Sequence, residues 1–242
     1  MIARNSDRVK DLFVASAREL TPVPVHPAVR VLYAPVSCDP EVTKICGTVL
    51  SDDELQRADR FAVKAEQDLF KQRRAFRRFC GASAIDSSQP LSEIIFRQTE
   101  NERPYISARP DLWFSFSSCR FGFLGAWSPI HGIGIDIEDQ TTNIEILEFA
   151  RGFFSRTEAD VIENAKNQER PETFLKIWNL KEAALKSIGQ GLPFGLDAFE
   201  FELEPCLRVR CAPAEFGGAD NFGAHLINGT GCCAALVVRH TT

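Results

Sequence analysis

The most constraining stretch of this 242-residue chain is Gly132-Ile133-Gly134-Ile135-Asp136-Ile137-Glu138. Strict alternation with a β-branched residue at every second position reads as a strand. A period of two sends Ile133, Ile135 and Ile137 to one face and Gly134, Asp136 and Glu138 to the other. The first face must be buried, and the second carries two carboxylates. On a strand their Cα atoms stand ~6.5–7 Å apart, near enough to converge on one hard cation that takes oxygen ligands, and the glycines leave room for a ligand to approach the backbone. Two solvated acids at a strand end would show the same spacing, because Asp-x-Glu is a common string.

A helix is expected around residues 174–186, entered at Pro171 and closed by Gly189. It puts Glu182 and Lys186 on one face at i, i+4, an arrangement that an exposed ion pair of about 0.2–0.5 kcal/mol would also explain. Another helix, over 66–84, has Leu69, Phe76 and Cys80 on an apolar stripe and Lys71, Arg74 and Arg78 on a second stripe. Lys71 and Arg78 read as solvated. Arg73 falls on the apolar stripe and needs a partner. Ser51-x-x-Glu54 has capping-box spacing, so a helix should start at Asp52, and Ser155-x-x-Glu158 repeats that spacing.

Strands are expected at 29–34, 94–98, 113–117, 121–127, 131–138, 198–203, 207–211 and 231–238, so an order of strand, helix and strands occurs twice. We read an α+β protein, a pseudo-symmetric pair of similar α+β halves, each a small antiparallel sheet packed with helices, divided as 1–129 and 130–242. The apolar content of 44% and charged content of 25% suit a folded soluble chain with a core that needs no staples. Net charge is −5, which argues against non-specific nucleic-acid binding. The eight cysteines form no C-x-x-C pair and read as reduced thiols of a cytoplasmic protein. The N-terminal stretch lacks the apolar core of a secretory signal, and no run approaches the ~18 apolar residues of a membrane span. The four histidines show no metal-ligand spacing, and the chain has neither a G-x-S-x-G elbow nor a P-loop.

Taken together, Gly-Ile-Asp136-Ile-Glu138 and, some forty residues on, Trp178-x-x-Lys181-Glu182-Ala-x-x-Lys186 resemble the 4'-phosphopantetheinyl transferase superfamily, in its monomeric, surfactin-synthetase-activating branch. The segment Arg151-Gly-Phe-Phe-Ser155-Arg-Thr-Glu158 resembles the family's R-x-F-F-S-x-x-E. The resemblance implies transfer of the phosphopantetheine arm of coenzyme A to a serine of an apo acyl or peptidyl carrier protein, with release of adenosine 3',5'-bisphosphate. It implies Mg2+ held by Asp136, Glu138 and Glu182, with Lys186 and Lys181 assisting at the phosphates. The base is Glu182 or a metal-bound water. Arg73 and Arg77 match the arginines of the family's A-R-x-x-L-R pattern, and Arg103-Pro104 stands where Lys-Pro is common. Phe114-Ser-Phe-Ser117-Ser118-Cys resembles F-N-x-S-H-S, with Ser118 in the place of a phosphate-contacting histidine. The N-terminal half would hold the nucleotide's phosphates and the C-terminal half the metal and the catalytic groups. Two other readings stay open: a diverged relative acting on pantetheinylated carriers, and a non-catalytic coenzyme A or carrier-binding module.

Overall fold

The computed structural model describes residues 2–22, 25–101, 103–139 and 145–240. Its elements run α1 (Ile2–Ser16), β1 (Arg18–Glu19), β2 (Arg30–Pro35), α2 (Pro40–Gly47), α3 (Asp52–Ala58), α4 (Lys64–Ala84), β3 (Phe96–Gln98), β4 (Pro104–Ile106), β5 (Trp113–Cys119) and β6 (Gly122–Ser128). They continue with β7 (His131–Glu138), α5 (Ile146–Phe153), α6 (Arg156–Asn164), α7 (Arg170–Ser187), β8 (Glu200–Glu202), β9 (Arg208–Cys211), β10 (Phe222–Leu226) and β11 (Cys233–His240). A four-stranded sheet has the order β1-β2-β6-β5 and a three-stranded sheet the order β10-β11-β7, while β3 pairs with β4 and β8 with β9, all antiparallel. No described helix is long and apolar enough to cross a membrane.

The expected repetition is carried by the topology. Strand, three helices, hairpin and two strands run from β2 to β6 and again from β7 to β11. In both passes the first strand pairs with the last, and the last with the one before it. Both capping boxes form, Ser51 with Glu54 at α3 and Ser155 with Glu158 at α6. Sequence reading missed α1, β1, α2, β4, α5 and β10. In β10, Phe-Gly-Ala-His-Leu has no β-branched residue to announce a strand.

Three apolar clusters hold the architecture. Phe70, Phe76 and Phe79 of α4 pack with Phe114 and Phe123 of the first sheet. Phe174, Leu180 and Leu185 of α7 pack with Ala235 and Val237 of the second. Between the sheets, Ile133, Ile135 and Ile137 meet Val29, Val31, Leu124 and Ala126. Each isoleucine is fully buried, worth ~1.5–3 kcal/mol apiece. Ser115 on β5 accepts a hydrogen bond from the Ile135 amide at 3.0 Å, which ties the two sheets side by side.

The other face of β7 looks at α7, and here the glycines play a different part from the one expected. A Cβ on Gly134 would strike the Ala183 carbonyl of α7, and one on Gly132 the Ser187 carbonyl. They admit a helix, not a ligand. Because α7 can lie directly on β7, its Glu182 and Lys186 come up against the strand's acids.

Candidate active site

Asp136 is 3% exposed. Its Oδ1 accepts from Lys186 Nζ at 2.7 Å and from Ser117 Oγ at 2.8 Å, and Lys186 also donates to the Ile135 carbonyl at 3.2 Å. Its Oδ2 is buried with no hydrogen-bond partner. The Glu138 carboxyl is pushed up to about 7 by burial and by Asp136, with Glu182 and Asp139 adding to the effect and Lys186 opposing it. Glu182 is also raised, by burial and then by Asp136, against the pull of Lys186. Three carboxylates thus share one neighbourhood with a single ammonium among them, too little positive charge to keep all of them ionised.

The acids share this neighbourhood without closing on a common centre. Among the described residues, no three His, Cys, Asp or Glu side chains are drawn together as metal ligands. The Lys186 ammonium is paired with Asp136 at 2.7 Å, inside the cluster of acids. The donor set still fits a hard divalent cation: all the donors are oxygens, one is a buried orphan, and burial together with the Asp136 charge favours the protonated forms of Glu138 and Glu182.

Beside this cluster lies a cavity of about 260 Å³. Glu182, Lys186 and the Gly189–Gln190 turn form one wall, and Arg77, Arg103, Pro104 and Phe116 the other. Gly189 ends α7 in the left-handed conformation, φ +71°, which turns the chain over Trp113 and Arg103. Arg103 stacks on Trp113, its guanidinium carbon 4.3 Å from the ring centroid, and Arg77 lies 5.0 Å over Phe116. Burial, then Arg74 and Arg73, push the Arg77 guanidinium down to about 9, and its buried Nε has no partner. Two cations therefore face the cavity with aromatic rings, not carboxylates, as their nearest support.

The remaining expected residues divide. Arg73 does find a partner: its Nη1 donates to Ser118 Oγ at 3.4 Å, on the α4 side of β5. Lys181 does not reach the cavity. It is fully buried, 2.7 Å from Glu158 Oε2, and donates to the Leu196 and Phe199 carbonyls at 2.9 and 2.5 Å. Glu158 is its counter-ion and also caps α6, so it too is structural. Arg78, expected in solvent, is buried and paired with Glu54 at 2.8 Å. Sequence reading missed Ser115, Phe116 and Gln190 as lining residues. Ser115 was within reach, since it shares Ser117's face of β5 by the strand period.

The model of the 4'-phosphopantetheinyl transferase superfamily matches residues 132–228, the stretch that carries the strand acids Asp136 and Glu138, the helix acid Glu182 and the helix lysine Lys186. Over that stretch the chain is similar to that superfamily. Among its relatives is the 4'-phosphopantetheinyl transferase Sfp of Bacillus subtilis strain 168, 36% identical over 112 residues, or 46% of this chain and 49% of that protein. HetI of Nostoc sp., also a 4'-phosphopantetheinyl transferase, is 27% identical over 172 residues, 68% of this chain and 70% of its own. A putative 4'-phosphopantetheinyl transferase of Synechocystis sp. is 25% identical over 150 residues, 62% of this chain and 61% of its own. Against the Synechocystis protein and two Bacillus subtilis transferases, the chain spans 61%, 48% and 49% of their lengths.

Proposed function

We propose that the protein transfers the 4'-phosphopantetheine arm of coenzyme A to a serine hydroxyl of an apo acyl or peptidyl carrier protein, releasing adenosine 3',5'-bisphosphate. The observation that carries this reading is the cavity between Arg77 and Arg103 on one side and Glu182 and Lys186 on the other. Cations that lean on rings suit a phosphorylated ligand, and an acid facing them suits a nucleophile that must lose a proton.

In the reaction the serine oxygen bonds to the phosphorus that bears the pantetheine. That phosphorus gives up its bond to the bridging oxygen, which leaves on adenosine bisphosphate. Arg77 and Arg103 hold the phosphates, with Arg103 supplying a planar fork where a lysine would supply a point charge. Arg73, steadied by Ser118, extends the cationic wall toward the nucleotide. At about 260 Å³ the cavity is just below the ~300–1,000 Å³ of small-molecule sites, so it takes the pyrophosphate and the root of the arm while the adenosine lies across the rim. Lys186 neutralises charge on the leaving oxygen, and a Glu182 Oε takes the serine proton. Asp136, Glu138 and Glu182 would hold Mg2+, which when bound supplies a compact positive charge to the pyrophosphate. Ser117 fixes the Asp136 carboxyl through Oδ1 and leaves Oδ2 for the ion.

This assigns nucleotide binding to residues 1–129 and metal binding and catalysis to 130–242, in a cytoplasmic monomer. Incubation with coenzyme A, Mg2+ and a panel of apo carriers, read by intact mass, tests it. At least one carrier should gain the arm, and Asp136→Asn should abolish the gain. A panel left unmodified while a known transferase modifies it would refute the proposal.

A further inference from the structure

All four histidines of the chain, scattered in sequence, come together at one end of the seam between the two sheets. His131 opens β7 and His240 closes β11, and the two are directly paired across the ladder. Their ring centroids are 5.1 Å apart, edge to face. His26, from the loop before β2, lies 5.4 Å from His131. On β10, Gly223 and His225 are two residues apart and so share a face. A Cβ at Gly223 would sit 3.4 Å from His225 Nε2 and 3.7 Å from His240 Nε2, so the missing side chain leaves a gap between two imidazole nitrogens.

Directly opposed residues of an antiparallel pair project from the same face with Cβ atoms ~4.5–5.5 Å apart. Arg239, the neighbour of His240, points the other way, over Trp113. His131 Nδ1 is buried without a hydrogen-bond partner. His26 Nδ1 already accepts from the Ala28 amide at 3.1 Å, so His26 walls the cluster and is not free to ligate through that atom. Burial first, and the neighbouring imidazoles second, hold His131 and His225 below the ordinary histidine range, which keeps them neutral. Neutral imidazoles crowded together with an unused nitrogen are ligands for a borderline metal ion.

We propose that His131 and His240, with His225 swinging in as a third donor, bind one divalent transition-metal ion such as Ni2+ or Zn2+, at a site separate from the carboxylates. Among the described residues no three such side chains already surround one point, so binding draws the rings together by side-chain rotation. The ion pins β7 to β11 beside the His26 loop and stiffens the seam.

The test is calorimetric titration of tag-free, full-length protein with Ni2+, in parallel with Co2+ absorption spectra. One equivalent of Ni2+ should bind at micromolar concentration. The affinity should fall at least tenfold in His131→Gln and in His240→Gln, and stay unchanged in Asp136→Asn. Bound Co2+ should show ligand-field bands without a thiolate charge-transfer band. Metal-free melting temperatures check that the variants fold. Retention of wild-type affinity in the His131→Gln/His240→Gln double variant, a thiolate band, or no binding at micromolar concentrations would overturn the proposal.

Discussion

Replacing Lys181 by methionine should cripple stability and spare coenzyme A recognition. The Lys181 ammonium has its three protons fully used, on Glu158 and on the Leu196 and Phe199 carbonyls. Methionine keeps most of the side-chain volume, so the loss is electrostatic. Glu158 would stay buried as an uncompensated carboxylate, held only by the Ser155 and Phe201 amides at 3.0 and 2.9 Å. Removing one partner of a buried pair costs ~3–5 kcal/mol, and at ~2–4 °C per kcal/mol for a chain of this size that is a fall of roughly 6–20 °C in Tm. Converting both partners, as Lys181→Met with Glu158→Leu, removes the stranded charge and should recover a large part of the loss. Urea and thermal denaturation of the two single variants and the double variant measure this, with KM for coenzyme A determined well below the lowered Tm. The reasoning fails if Lys181→Met melts like the wild type, or if it stays folded while KM for coenzyme A rises tenfold.

Four other outcomes are expected. Gly134→Ala should cost ~1–3 kcal/mol as an overpacked contact and reduce transfer, because its Cβ must push the Ala183 carbonyl, and with it Glu182 and Lys186, away from β7; wild-type melting and kcat would contradict it. At a hundredfold excess over its Kd, Mg2+ should stabilise the wild type by about 2.7 kcal/mol, and Asp136→Asn should lose this in a thermal-shift titration. Burial tends to raise the Glu54 carboxyl, but the Arg78 hydrogen bond and charge outweigh it and hold Glu54 below the ordinary carboxylate range; that stability is present above the unfolded pKa of about 4.3 and is lost as pH falls through the lower folded value. The stability gap between wild type and Glu54→Gln should therefore shrink on acidification in urea melts, and a gap independent of pH would show that the ion pair is not its source. Arg103→Ala should raise KM for coenzyme A more than Arg103→Lys does, with kcat less affected; equal effects would mean that its fork geometry is not used.

The acid strand was legible because a period of two is a local property: Ile133, Ile135 and Ile137 announce the buried face without any knowledge of what covers it. The two capping boxes were legible for the same reason. The face of α7 was harder to read. It is buried on nearly every side, from Phe174 and Leu175 round to Ala183 and Leu185, so the helical period leaves Lys181 and Lys186 as equals. What separates them is tertiary: β7 lies under one and the Glu158 carboxylate under the other. Arg73 and Arg78 pose the same problem on α4, and there the residue expected in solvent proved to be the ion-paired one. Nor did spacing hint at the histidine cluster, because only the β7 to β11 register sets His131 opposite His240.

The two ion pairs point to a common plan. In each pass through the fold a capping-box glutamate opens a helix and reaches across to a cation on the next, Glu54 to Arg78 of α4 and Glu158 to Lys181 of α7. One pair would be a local accident of packing. Two at matching steps of the same topology show a scaffold device that locks each long helix against the helix before it. With that device set aside, the charges left over differ in kind. The helix α4 offers Arg73 and Arg77 with no carboxylate hydrogen-bonded to either, whereas α7 offers Glu182 along with Lys186. The sheets set side by side through Ser115 and Ile135 bring those unlike surfaces to one cavity. A single repeated framework thus sets two arginines with no carboxylate partner among the described residues opposite an acid and a lysine across one cavity, and the proposed transfer draws on both sets.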